Sequence, residues 1–508
     1  MSERPTSREE HIDSGVAARR PLILAACMIA MFTAAVEATI VATAMPTIVA
    51  DLGGFHLFSW VFAVYLLTQA VTIPIYGRLA DLYGRKRMFA IGMALFLAGS
   101  ALCGFAGSMT ALIAFRALQG LGAGAIMPIA TTIIGDIYTP AERAQVQGWL
   151  SSVWGVSAII GPALGAFLVQ HVGWPVVFWI NLPIGAVATA MLATLLHERL
   201  HRRDHRIDYF GAVLLMLGTA ALMLALVQAD QLGRGLVLSL LAASVVVLGG
   251  FIARQRTAPE PMLPLHLWRQ RIIVAGNIGA LTIGIVMMGV TAFLPTYVQG
   301  VMDRSATTAG MALAVMSVGW PLASALCGRM MVRTPYRTTA ALGGVALIAG
   351  NLVLISMHLG QGLAWPIVGA FLIGAGMGFC NTTYVVAVQG AVGWSERGVA
   401  TSSNMFMRMV GQSLGASLYG AVLNIGIAHR LPNAGDAVEV LMDPSHRASL
   451  GATEADRLIA AVAGSLQEVY VIGGVLAAVV LLLALGLPKA SAVAQEQQRQ
   501  PRTEGAGR

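Results

Sequence analysis

Charge is what this chain has least of. Only 11% of its 508 residues are Asp, Glu, Lys or Arg, whereas 57% are hydrophobic and the mean hydropathy is +0.74. No soluble domain of this size buries so much apolar surface, so the composition excludes a soluble enzyme or binding module. It predicts an all-α polytopic membrane protein. The four cysteines, Cys27, Cys103, Cys327 and Cys380, all fall inside apolar runs, which excludes a disulfide or zinc framework and makes them small core residues. His11, His56, His171, His266, His358, His429 and His446 sit in tails, loops or span ends, which leaves little for metal chemistry within the membrane. The net charge of +8 would suit nucleic acid, but the basic residues sit in short loops on one side of the apolar runs. That is an orientation signal, and no nucleic-acid partner is expected.

What is abundant is long apolar runs. Fourteen can be counted, most of them long enough for a ~30 Å hydrocarbon core. With the N-terminus inside, only Arg234, Arg304, Arg430, Arg447 and Arg457 fall outside, and Arg116 and Arg408 lie within spans. This places both termini in the cytoplasm of a cell with the chain in its inner (plasma) membrane. The expected organisation is a cytoplasmic tail at 1–20, a six-helix bundle at 21–197, and two additional helices with connectors at 198–271. A second six-helix bundle follows at 272–488, with an outside loop at 429–468, then a tail at 489–508. Arg19-Arg20 precede a first run too long for a signal peptide, so that segment is expected to be retained. Thr453 with Asp456 reads as a helix start, and LIAAVAGSL (458–466) as a short amphipathic helix lying on the membrane.

A shift of 254 residues lays Gly120, Gly122 and Gly124 on Gly374, Gly376 and Gly378, Glu142-Arg143 on Glu396-Arg397, and Gly161 on Gly415. Eight spans separate equivalent positions, with the same orientation. Two pseudo-symmetric bundles plus two extra central helices follow, the parallel-repeat plan of a large class of transporters.

Charges within spans point to function. Glu37 lies in the middle of PLILAACMIAMFTAAVEATIVATAMP, Pro21 to Pro46. A charge at bilayer depth costs roughly 2.5–3.5 kcal/mol and faces a protein interior or a cavity. Burial raises a carboxyl's pKa and a nearby cation lowers it, so such a group can exchange protons near neutrality. The plainer reading is a structural Glu bonded to a neighbouring helix. Arg116, in RALQG, either pairs with Glu37 or snorkels to the outer interface. In the loop GRLADLYGRKR (Gly77 to Arg87), Gly77 and Gly84 allow tight turns, while Asp81 can pair with Arg78 or Arg85 or cap the next helix. In the fifth span, WGVSAIIGPALGA puts Gly155, Gly161 and Gly165 near one face, with Pro162 as a kink. In the second half Asn277, Asn381, Gln389, Asn404, Arg408 and Gln412 are expected around a central cavity. Gln69, Trp154, Asn277, Asn381, Met405 and Arg408 are the candidate substrate contacts. Arg408 could repel cations, hold an anionic group, or make a structural interhelical bond.

His197-Glu198-Arg199-Leu200-His201 fits H-E-x-x-H, with His205, Asp204 or Asp208 as a third ligand. Four arginines in the same segment oppose a zinc ion, and a basic inside loop already explains the composition. A membrane-embedded zinc hydrolase is the remote rival; no metal site, cofactor or enzymatic activity is expected.

GRLADLYGRKR, RALQG, the GPALG helix and VEATIVATAMP together resemble signature motifs of the major facilitator superfamily, and its 14-span drug:proton antiporter branch in particular. WPVVFWINLPIG (Trp174 to Gly185) and DYFGAVLL (Asp208 to Leu215) extend the resemblance over nearly the whole chain. It implies a proton-coupling pair at Glu37 and Arg116. It also implies a charged cytoplasmic gate at Gly77, Arg78, Asp81, Gly84 and Arg85, with Asp136, Glu142 and Arg143 as companions, and an antiporter helix at Gly155, Gly161, Pro162 and Gly165. Three departures stand out. Glu37 replaces the usual Asp; Pro175 stands where an Arg is common; and the second-half gate is reduced to GRMMVRTPYR (Gly328 to Arg337), without an acid. Arg116 falls on Ala370 under the repeat shift, so the coupling pair has no twin. The expected function is a monomeric, proton-driven exporter of amphipathic or hydrophobic small molecules, cationic ones among them, working by alternating access as in multidrug efflux. Export of an endogenous metabolite or siderophore is the alternative.

Overall fold

The computed structural model describes residues 14–54, 57–198, 208–228, 232–258, 261–358, 360–431, 438, 441 and 451–487, and these contain no strand. The first bundle comprises α1 (Ser14–Leu52), α2 (Phe58–Tyr83), α3 (Arg85–Gly104), α4 (Met109–Ile137), α5 (Pro140–His171), α6 (Pro175–Trp179) and α7 (Asn181–Leu195). Two intervening helices follow, α8 (Tyr209–Val227) and α9 (Arg234–Gln255). The second bundle holds α10 (Arg271–Thr296), α11 (Ala306–Met331), α12 (Tyr336–Ile355), α13 (Ala364–Ala391), α14 (Arg397–Arg430) and α15 (Ala452–Leu485). Lipid offers backbone groups no hydrogen bonds, so each apolar run closes its own as a helix. Thirteen segments are long and apolar enough to cross a membrane, α6 and α7 counting as one. The fourteenth, α14, is diluted by Ser402, Ser403, Asn404, Arg408 and Gln412.

Helix ends follow local chemistry. Thr139 and Glu142 form a capping box at α5 with Pro140 in its first turn, and Ser108 caps α4. Gly84, at φ +96°, breaks the chain between α2 and α3, a conformation that strains residues with a Cβ. The surface helix expected at 458–466 is instead part of α15, which runs unbroken from Ala452. Leu458, Val462, Leu466 and Val469 are buried in the second bundle's core, and Ser465 Oγ bonds its own helix at Ala461 O, 2.8 Å away. Continuous burial along one face keeps the segment helical despite Gly464.

The two bundles repeat one packing plan. In the first, α4 packs on α2 and α3, and α1 on α5 and α7; in the second, α13 packs on α11 and α12, and α10 on α14 and α15. The glycines of the internal repeat occupy matching seats. Gly120 and Gly124 abut α2 as Gly374 and Gly378 abut α11, and Gly122 meets α3 as Gly376 meets α12. Gly161 lies against α1, Gly415 against α10. The bundles meet along two crossed contacts, α2 on α14 and α5 on α11. Met405 of α14 reaches the first bundle's core, and Ala144 of α5 the second's. The α8–α9 hairpin lies beside the first of these contacts, with α8 packed on α2 and α14. Ser417 Oγ donates to Leu226 O at 2.7 Å there.

Candidate functional site

Two charge clusters lie at different depths, one within the first bundle and one between the bundles. The deeper one is built on Glu37 of α1 and Arg116 of α4, both fully buried and joined as an ion pair. Arg116 Nη1 also donates to Gln119 Oε1 at 2.7 Å, Nε donates to Val61 O at 3.3 Å, and the guanidinium lies 4.1 Å from the Tyr65 ring centre. The second Glu37 oxygen accepts from Asn181 Nδ2, which also donates to Ser100 Oγ at 3.0 Å. Gln119 Nε2 donates to Ser100 Oγ at 3.1 Å, and Ser100 Oγ donates to Phe178 O at 2.8 Å. Arg116 therefore does not snorkel to the interface; its partners lie on α1, α2 and α4, and α3 and α7 close the network through Ser100 and Asn181. The ionised carboxylate has charge-assisted and amide donors on both oxygens, so the network suits the charged form while sealing it from water. Asn181 reaches Glu37 because the sixth span breaks at Ile180 and restarts as α7, with Pro183 tolerated in its first turn.

The second cluster joins the bundles at the end carrying loop 77–87. Asp81 accepts from Gly398 N at 2.9 Å, Val399 N at 2.8 Å and Arg85 Nη2 at 2.8 Å. A carboxylate thus meets the first N–H groups of α14, which have no carbonyl partner within the helix, where the helix dipole favours an anion. Arg85 extends to Asp136 at 2.9 Å, to Trp394 O at 2.6 Å, and lies 3.8 Å from the Trp394 ring centre. Arg397 pairs with Asp136. Gly77 backs directly onto α14, where a Cβ would overlap Ser402 Oγ and Gly398 O; Gly328 likewise backs onto Ala144 O. Of the expected gate residues, Gly77, Asp81, Gly84, Arg85 and Asp136 come together. Arg78 is buried one turn earlier on α2 and joins none of these bonds. Glu142 is used in the α5 cap and an ion pair with Arg20, 3.4 Å away, and Arg143 Nε donates to Tyr138 O at 2.8 Å. Arg397, Trp394 and the first N–H groups of α14 were not among the expected residues.

The glycine–proline helix faces two partners. Gly161 and Gly165 lie against Thr39, Ile40 and Thr43 of α1, whereas Gly155 lies against Ser317 O of α11. Pro162 is inside the helix. Among the substrate candidates, Gln69 is half-buried and Trp154 is 43% exposed. Asn277 is sealed between α10 and α14, donating to Ser403 Oγ at 3.3 Å. Arg408 Nη1 donates to Asn381 Oδ1 at 2.9 Å. In the H-E-x-x-H segment, Glu198 caps α3 through Arg85 N at 2.9 Å and Lys86 N at 3.3 Å, while Asp208 caps α8 and bonds Arg254 and Gln255. Both carboxylates have structural employment; His201, Asp204 and His205 lie outside the described residues.

Comparison with known proteins agrees with this plan. The model of the Major Facilitator Superfamily matches residues 27–416. The chain belongs to that superfamily. Among relatives, this facilitator is 35% identical over 413 residues to the multidrug transporter protein MdtP of Bacillus subtilis, covering 81% of this chain and 76% of that one. It is also 35% identical over 410 residues to multidrug resistance protein 3 of the same organism, covering 80% of each. The crystal structure of the human organic anion transporter MFSD10 superposes with a TM-score of 0.64 at 12% identity, over 91% of this chain and 99% of that one, a likeness of fold.

Proposed function

We propose that this facilitator is a proton-driven exporter of amphipathic or hydrophobic small molecules, of the multidrug-efflux kind. The observation that carries the proposal is the sealed Glu37–Arg116–Asn181 network, an ionisable pair held between α1, α4 and α7 at bilayer depth. The names of the two Bacillus relatives support multidrug export.

The basic inside loops orient the chain with loop 77–87 in the cytoplasm. The Asp81–Arg85–Asp136–Arg397 cluster then closes the cytoplasmic end, as the outward-facing state of the proposed cycle requires. In the proposed cycle a proton enters from outside, Glu37 becomes neutral, and its bond to Arg116 weakens. Asp81 releases α14, the bundles rock about their two crossed contacts, and the proton leaves inward. Ionised Glu37 re-forms its pair as substrate is carried out. Each charge moved down the potential supplies about 2.3 kcal/mol per 100 mV, enough for a tenfold gradient. Reconstitution in liposomes with an imposed pH gradient and a chemically varied substrate panel tests this. Glu37→Gln is expected to abolish pH-driven movement of every substrate that the wild type transports; undiminished pH-driven transport by that variant removes the role.

A further inference from the structure

The second bundle holds a cation that no acid answers. Arg408 bonds the neutral Asn381, and no carboxylate forms an ion pair with it among the described residues. The other intramembrane arginine, Arg116, has Glu37, Gln119 and a backbone carbonyl. A guanidinium has five N–H donors in a planar fork matched to a carboxylate. One of Arg408's donors is spent on Asn381. The residue is only partly covered, which leaves donor capacity for a ligand.

Position says where that ligand would come from. Arg408 is eleven residues into α14 and Asn381 ten from the end of α13, so both lie roughly 15 Å along their helices from the closed end. Arg408 follows Met405 by three residues and shares its face, and Met405 packs against the first bundle's core. The cation therefore lies at mid-depth between Asn381 of α13 and the face of α14 that meets the first bundle. Methionine beside it supplies a surface that adapts to varied apolar bodies.

We propose that Arg408, positioned by Asn381, is the recognition point for a carboxylate carried by an amphipathic substrate. An unanswered cation also repels cationic molecules, so the favoured cargo is acidic or zwitterionic and apolar elsewhere. This rests on the exporter reading and narrows it to a substrate class.

A rhodamine free acid and its methyl ester share one ring system and differ in the carboxylate, so they form a matched pair of probes. Binding to the purified protein is read by fluorescence anisotropy, and pH-driven movement in proteoliposomes. Wild type is expected to bind the acid about tenfold or more tightly than the ester, the worth of one charge-assisted bond. Arg408→Gln is expected to erase that preference by weakening the acid alone, and Arg408→Lys to keep part of it. Wild type showing no preference for the acid overturns the proposal, as does a folded Arg408→Gln protein that retains it. The wild-type comparison decides the matter even where the glutamine variant does not fold. An acid preference without pH-driven movement of either dye would fail the exporter reading and leave this inference standing; pH-driven export without the preference would do the reverse.

Discussion

The two bundles share a backbone plan and differ in where they keep charge. In the first, Glu37 answers Arg116 and Asp81 answers Arg85. In the second, Arg408 meets an amide and no carboxylate among the described residues, and the loop equivalent to 77–87, Gly328 to Arg337, contains no acid. The contact of α2 with α14 is accordingly latched by a carboxylate on helix N–H groups, while at the contact of α5 with α11 Gly328 rests on the backbone of Ala144. Symmetric packing gives two halves that can rock. In the proposed cycle, asymmetric charge would let one half respond to protons and leave the other to hold cargo.

The comparison is broken most severely at the paired charge. Glu37→Gln strands Arg116 in a buried site, and losing one partner of such a pair costs about 3–5 kcal/mol. A large fall in melting temperature is expected together with loss of pH-driven transport. The double variant Glu37→Gln/Arg116→Gln is expected to regain most of the stability and none of the transport. A melting temperature unchanged by the single substitution would show that the pair is not sealed as described.

Next is the latch. Asp81→Asn removes the charge that holds two backbone N–H groups and Arg85, bonds worth roughly 1.5–3 kcal/mol each when charged. The closed end is expected to open more often. Ala400→Cys, buried 2% exposed beside the latch, is expected to become reactive to a thiol reagent in the Asp81→Asn background. The four native cysteines are buried, so the labelling background is low. Equal labelling with and without Asp81 would deny it the latch.

A smaller effect of opposite sign is expected at Arg408. A charge without an acid keeps part of its desolvation cost, so Arg408→Gln is expected to leave stability unchanged or raise it by about 1 kcal/mol. Thermal melts of Arg408→Gln and Arg116→Gln side by side make the contrast: a fall for Arg116 and none for Arg408. Equal falls would mean that Arg408 is a structural tie like its counterpart.

How much of this was legible in the chain depended on the cost of being wrong. Glu37 and Arg116 stood out because charge in an apolar run demands a partner, and each was the other's nearest candidate. The repeat glycines were legible because close helix packing fixes their spacing, and the structure seats them in equivalent positions. Asn181 and Ser100 were not, since neutral polar residues are common in spans and carry no such demand. Glu198 was read as part of a metal motif, because a cap for a helix starting 113 residues earlier leaves no local pattern. Arg397 was visible only as the repeat partner of Arg143, and its ion pair with Asp136 joins residues that the fold alone brings together.

The smallest effect belongs to Trp394, whose ring stacks under Arg85 at the latch while remaining 42% exposed. A cation–π contact at such a site is worth about 0.5–1 kcal/mol. Its carbonyl, which also accepts from Arg85, survives substitution. Trp394→Ala should therefore loosen the latch a few-fold, read as a modest rise in labelling of Ala400→Cys, well below that for Asp81→Asn. The repeat shift lays Trp394 on Pro140, where α5 begins with no stacked arginine. If Trp394→Ala opened the end as fully as Asp81→Asn, the closure would rest on aromatic packing, which either bundle could supply. The division of labour by charge would then lose its cytoplasmic half.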